Sequence, residues 1–324
     1  MLSLSQLVKI KKDIVNRFDT INLTGPVNDI CNTLESINRE YGSHQFVKEK
    51  IIQAIDDYRL IEDQSNLKTK ELYSIVDTID IAIKQESVKI NQSNRYKLTF
   101  DGISNRVFHV DQKVNSIIEA SIAKYVDFHY PGLRLGCRYV GQLSADFEIS
   151  YELSEYYSNC LATCDPLYFS DLDDNAIKTA TQHFNEIYLR RIRIYSLDNL
   201  DQLPQGQFGF VFSWMLLNYA DEGTIFLYLN KIYSLLRPGG TVMFSYNNID
   251  LEESAKIAEL GLMSAISKQE LFKGITDIGF RIGNSYDLPN EDPAIQMISW
   301  VELQKPGNLQ TVKIKQVLGQ ISAK

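Results

Sequence analysis

Histidine, cysteine and proline are all scarce in this chain of 324 residues, which carries four, four and eight of them. Four cysteines over that length make no disulfide framework. Cys160-x-x-x-Cys164 has no second pair of ligands at a matching spacing, so inert buried thiols and no metal are expected. Each lone histidine, His44, His109, His129 and His183, is expected to be a structural or solvent-facing group. No apolar run approaches the ~20 residues that span a bilayer. Met1-Leu2-Ser3-Leu4-Ser5-Gln6 lacks the basic and long apolar regions of a signal peptide, so a cytoplasmic protein is expected. Positive charge is in deficit: 33 Lys and Arg against 41 Asp and Glu give −8, which argues against a broad nucleic-acid-binding face. What is present is the composition of a globular protein, 44% hydrophobic and 23% charged, long enough for one large and one small domain.

Residues 1 to about 90 read as helices only. Four apolar stripes recur at helical spacing: Leu4 to Phe18, Val27 to Tyr41, Val47 to Tyr58, and Leu72 to Ile83. Pro26 suits the first turn of the second helix. Each stripe must bury against something, which makes this region a bundle, a lid or a contact between copies. The polar stretch Lys84 to Asn94 is the expected boundary. Beyond it, 96–100 reads as a short strand and Val110 to Tyr125 as a helix ended by Pro131.

From Asp165 to Tyr246 the pattern alternates between strand and helix. Leu167 to Asp171, Arg193 to Asp198 and Phe208 to Ser213 read as strands, the last apolar enough to be buried on both faces. Ala176, Ile177, Ala180, Phe184 and Ile187 mark one helix face; Ile225, Leu229, Ile232 and Leu236 mark another. Arg237-Pro238-Gly239-Gly240 stops that helix, and Thr241 to Tyr246 is a further strand. Ser267 and Glu270 form a capping box for a helix closed at Gly279, followed by strands over Phe280–Tyr286 and Ile295–Leu303. The layout is doubly wound α/β, Rossmann-like, with an all-helical N-terminal region. It divides into a helical region (1–94), a sheet domain (95–305) and a polar tail (306–324).

These words, and above all Leu235-Leu236-Arg237-Pro238-Gly239-Gly240, resemble the class I S-adenosylmethionine-dependent methyltransferases. The likeness covers roughly residues 128–305, and within the family it looks like methyltransferase-like proteins of tailed marine phages. The resemblance implies S-adenosylmethionine as cofactor. It places Asp171 at the ribose hydroxyls, Asp198 near the adenine, Ser213 at the switch region, and Asn218 and Tyr219 as the groups that orient an acceptor. Phe147-Glu148-Ile149 is the best sequence candidate for the end of the first strand. Glu148 then stands for the acid that orders the cofactor loop, and Ser150 opens that loop.

That loop is where the chain departs from the family. Ser150-Tyr151-Glu152-Leu153-Ser154 has no glycine, although close approach of a cofactor to backbone requires it. Gly136 and Gly141 are nearby, but a loop there leaves about thirty residues before Asp165, long for one compact crossover. If Ser150–Ser154 is the loop, cofactor affinity weaker than ~1 mM is expected. Two readings follow. One is an active methyltransferase of unknown acceptor. The other is a catalytically silent chain of the same fold, a structural or binding component associated with a viral particle and assembled through residues 1–90.

Overall fold

The computed structural model describes residues 2–20, 27–42, 44–60, 68–93, 120, 132–135, 166–171, 186–213, 216–289 and 297–307. The strand expected at 96–100, the helix from Val110 to Tyr125 with His109 and His129, the helix from Ala176 to Phe184, and the tail from Gln310 lie outside them.

The N-terminal stripes form helices α1 (Leu4–Thr20), α2 (Val27–Tyr41), α3 (Gln45–Leu60) and α4 (Lys68–Gln92). Each contributes to one core: Ile14, Leu34, Ile51 and Ile79 are all fully buried. Within the polar stretch Lys84 to Asn94, α4 runs on to Gln92. Its last turns are polar in composition but not idle. Ser87 is buried and returns its hydroxyl to the Ile83 carbonyl at 2.8 Å, and Ile90 packs on the core. The same core takes in Ile249, Ala255, Ala258 and Ala265, so it passes without a break into helix α7 (Glu252–Glu259). Polar bonds line the same seam. The Glu259 carboxylate accepts the Ser5 backbone N–H at 2.5 Å, capping the first turn of α1. The Asn91 side-chain amide brackets Ala265, donating to its carbonyl at 2.8 Å and accepting its N–H at 2.9 Å.

The second layer is a seven-stranded sheet in the order β3-β2-β1-β4-β5-β7-β6. Its strands are β1 (Gly132–Leu135), β2 (Leu167–Asp171), β3 (Ile192–Ser196), β4 (Phe208–Ser213), β5 (Leu236–Tyr246), β6 (Arg281–Pro289) and β7 (Met297–Gln304). Strands β1 to β5 pair in parallel, and β7 is antiparallel to both of its neighbours. Every residue of β4 is buried, as a central strand covered on both faces must be. The rings of Phe210 and Phe212 stack, and Phe212 meets Trp300 of β7 edge-on at 6.4 Å between centroids.

Helices α5 (Glu186–Leu189), α6 (Glu222–Leu235) and α8 (Lys268–Ile278) complete the described elements. Asp221 caps α6 by accepting the Thr224 N–H at 2.8 Å. The serine half of the expected capping box on α8 forms, with Ser267 Oγ accepting the Glu270 N–H at 3.2 Å. The glutamate half differs: Glu270 accepts the Ser267 hydroxyl and pairs with Lys84 of α4 at 2.6 Å. A nearby cation draws the carboxylate more strongly than a backbone N–H does.

Arg237-Pro238-Gly239-Gly240 is part of β5 rather than a turn ahead of it. Phe208 pairs with Leu236 and Phe210 with Thr241, so three extra residues bulge between two rungs of the ladder. Gly239 has φ +75, and a side chain at Gly240 would stand 2.8 Å from the Phe208 carbonyl oxygen. The Lys305 ammonium closes the junction, donating to the carbonyls of Tyr233 and Leu236 at the carboxyl end of α6.

Candidate functional site at the carboxyl ends of the central strands

Chain order reverses between β1 and β4. The chain leaves β1 outward to β2 and β3, then returns to lay β4 on the other side of β1. In open α/β sheets a ligand crevice opens at this point, beyond the carboxyl ends of the strands. Register fixes what lies along that rim. Leu135 pairs with Ser170 on one side and with Ser213 on the other, and Asp171 pairs with Ser196 of β3. With strands about 4.8 Å apart, β3 to β4 spans roughly 15 Å of rim.

The first strand is not where the sequence placed it. Gly132–Leu135, rather than Phe147–Ile149, occupies the slot between β2 and β4. Leu133 explains the choice: it is fully buried, paired with Tyr168 on one side and Val211 on the other. Pro131 and Gly136 bracket the strand in sequence. The residue that leaves β1 is therefore Gly136, and Ser150–Ser154 is not the segment that follows this strand. Glu148 and Ser150 lie outside the described residues. The crossover from β1 to β2 takes in residues 136–166, the length that had counted against this strand.

The other expected site residues separate into two groups. Asp171 ends β2 at the rim, beside the carboxyl end of β1. Asp198 follows β3 in a 3₁₀ turn (Leu197–Gln202), exposed, with its N–H given to Ser196 Oγ at 3.3 Å. Ser213 ends β4 with its side chain fully buried and its hydroxyl without a hydrogen-bond partner among the described residues. A buried hydroxyl left so is costly, by about 1–3 kcal/mol, unless something else completes it.

Asn218 and Tyr219 lie in the turn Leu217–Tyr219, both buried, and Asn218 is already fully engaged. Its Oδ1 accepts the Ser245 hydroxyl at 2.8 Å, and its backbone carbonyl accepts both the N–H and the hydroxyl of Ser264 at 2.9 Å. Asn247 does the same work one layer on, donating from Nδ2 to the carbonyls of Ser254 and Ser264 at 3.1 and 2.8 Å. These two amides hold the segment after α7 down on the end of β5. Replacing Asn247 with Ala strips a donor from two buried carbonyls and should cost about 2–3 kcal/mol. Urea unfolding will read this, and a loss under about 1 kcal/mol would contradict the assignment.

A cluster absent from the sequence reading surrounds Asp287 of β6. It accepts from Ser299 at 2.6 Å, from the Lys268 ammonium at 3.0 Å and from Asn248 at 3.1 Å. Burial works against its charge, but the hydrogen bonds of Ser299, Lys268 and Asn248 outweigh it and hold the carboxyl below its usual range. Unfolded Asp takes up its proton near pH 4, before folded Asp287 does. The resulting stabilisation is complete above about pH 4 and is lost as pH falls through the lower, folded value. In Asp287→Asn this part of the acid-side slope of unfolding free energy should vanish; a slope like that of the wild type would refute the linkage. Tyr246, enclosed at the end of β5, is held far above the ordinary tyrosine value by burial first and then by the Asp287 and Asp250 charges. It stays neutral and forms part of the floor, not an acid or base.

Five parallel strands with the reversal at β1/β4, followed by an antiparallel β7 inserted between β5 and β6, define the architecture. This is a doubly wound, Rossmann-like α/β fold. No protein-family model matches the sequence, and no curated protein is similar to it. Among solved structures, partial similarities are found. A SAM-dependent methyltransferase from Methanosarcina mazei is 15% identical, over 58% of this chain and 98% of that one, with a TM-score of 0.44. The N-methyltransferase NodS from Bradyrhizobium japonicum, in complex with S-adenosyl-L-homocysteine, is 14% identical over 66% and 100%, at 0.45. Geranyl diphosphate C-methyltransferase from Streptomyces coelicolor is 10% identical over 60% and 81%, at 0.46. It is the strand order of the chain itself that defines the fold.

Proposed function

We propose that this chain is an S-adenosylmethionine-dependent methyltransferase whose cofactor lies along the rim from β3 to β4. The observation that carries the reading is the place of β1. With Gly132–Leu135 between β2 and β4, the segment leaving the switch point opens on a glycine, and Asp171 ends the adjacent strand. The residues fit such a ligand: an acid at the end of the strand beside the switch point, and across β1 a buried hydroxyl at Ser213 that has no partner among the described residues. In this reading Asp171 accepts the ribose hydroxyls and Asp198 lies toward the adenine end. Ser213 offers a hydrogen bond from the β4 side. The bound cofactor supplies a methyl group activated on a sulfonium centre.

What the protein supplies is alignment and exclusion of water. Tyr219 orients an acceptor beside the turn after β4. Asn218, its side chain engaged by Ser245, is a positioning residue that fixes that turn. The competing reading, a silent chain of the same fold, drew on Ser150–Ser154 as a glycine-free cofactor loop, and with β1 at Gly132–Leu135 that ground falls away. Calorimetric titration with S-adenosylmethionine and S-adenosylhomocysteine tests the proposal. A dissociation constant on the order of 10 μM, about −7 kcal/mol, is expected. No heat up to ~1 mM would overturn it and leave the silent reading standing.

A further inference from the structure

Helix α4 has two apolar faces, and among the described residues only one of them is packed. Ile75, Val76, Ile79 and Ile83 face the bundle core. Roughly opposite, at helical spacing, Tyr73, Ile81 and Val88 are 62%, 60% and 41% exposed, with the exposed charges of Asp77 and Lys84 between them. Isolated exposed hydrophobics need no explanation, but three on one line of one helix, with charges of both signs between, form a pattern. Ile81, Lys84, Gln85, Val88 and Lys89 wall an open groove of about 450 Å³. Ile81 also borders a second groove between α4 and the start of α1, with Leu2 and Leu7.

The order along the stripe is apolar, acidic, apolar, basic, apolar. Reversed end to end, it is complementary to itself. Laid antiparallel on a second α4, with the twofold axis passing near Asp80 and Ile81, Tyr73 falls opposite Val88 and Asp77 opposite Lys84. We propose that this face of α4 is a homodimer interface, formed by antiparallel pairing of α4 with α4 of a second copy. The pairing is isologous, so every contact occurs twice and the assembly closes. The partner's Tyr73 lies over the groove between Ile81 and Val88, and the two Ile81 side chains meet at the axis. Lys84 already pairs with Glu270 of its own chain at 2.6 Å, but its ammonium has three donors and accommodates the partner's Asp77 as well. Helix α4, 25 residues and about 37 Å long, is long enough for the 73–88 contact to lie wholly within regular helix.

Sedimentation equilibrium of the full chain across the micromolar range tests this. Wild type should approach twice the 37.1 kDa chain mass. Ile81→Arg should weaken the dimer at least ~10-fold, about 1.4 kcal/mol, and Val88→Lys serves as an independent second variant. Asp77→Lys sets like charges against each other at both ends of the contact and should weaken it similarly. Adding Lys84→Asp to that chain should restore the dimer, which a merely structural role for either residue would not do. Circular dichroism confirms the fold of each variant. A wild type that stays monomeric overturns the proposal, and so does a dimer indifferent to Ile81→Arg and Asp77→Lys. Failure of the double variant to regain the dimer overturns the antiparallel register.

Discussion

A chain beginning at Asn94 is expected to lose most of its stability, although the sheet lies entirely beyond that point. The bundle core takes in Ile249, Ala255, Ala258 and Ala265, in and beside α7, which pack against the helices of the first 93 residues. Truncation would bare that face and break three polar ties: Ser5 to Glu259, Asn91 to Ala265, and Lys84 to Glu270. Full burial of one isoleucine is worth about 1.5–3 kcal/mol, and each smaller residue contributes less. The summed loss is several kcal/mol from a total that for most proteins is only about 5–15. For a chain of this size roughly 4 kcal/mol corresponds to about 6 °C in Tm. Full-length protein should melt in one transition, bundle and sheet together. If the truncated chain melted within a few degrees of it, the two layers would be independent.

Asp171→Ala is expected to weaken S-adenosylmethionine binding by about 100-fold or more. A hydrogen bond to a charged group is worth roughly 1.5–3 kcal/mol, and a carboxylate that accepts two hydroxyls makes two of them. Their loss places the variant near or beyond the millimolar range. Asp171→Asn keeps the size and one acceptor, and should recover part of the affinity. Asp198→Ala, at an exposed position, should change binding by less than about tenfold, since solvent competes there. Equal losses at Asp171 and Asp198, or unchanged affinity in Asp171→Ala, would move the ligand away from the end of β2.

Much of the fold was legible because it is written in periodicity. The stripes of α1 to α4, the doubly apolar β4 and the caps Ser267 and Gly279 each declare one element through local chemistry. What could not be read was what only pairing decides. Strand β1 has four residues, too few to show alternation, and its neighbours in the sheet come from distant parts of the chain. A long crossover counted against a first strand ending before Gly136, so the local run Phe147–Ile149 drew the assignment instead. The partner of the polar end of α4, the backbone of Ala265, is likewise invisible to any window of sequence. Asn218 looked like an acceptor-binding residue because position alone was visible, whereas its bonds to Ser245 and Ser264 come from the tertiary fold.

The shortness of β1 also bears on how the molecule assembles. Strands β3 and β2 form one ribbon, and β4, β5, β7 and β6 form another; among the described strands only β1 bridges the two by backbone bonds. The larger ribbon is built from neighbours close in sequence, with α6 joining β4 to β5, and can condense early. Strand β1 gains its bonds only when both ribbons are present to receive it, after the entropy of closing the 136–166 crossover has been met. It is therefore the keystone of the arch, set last, and the ligand rim comes into being at the same moment as the completed sheet.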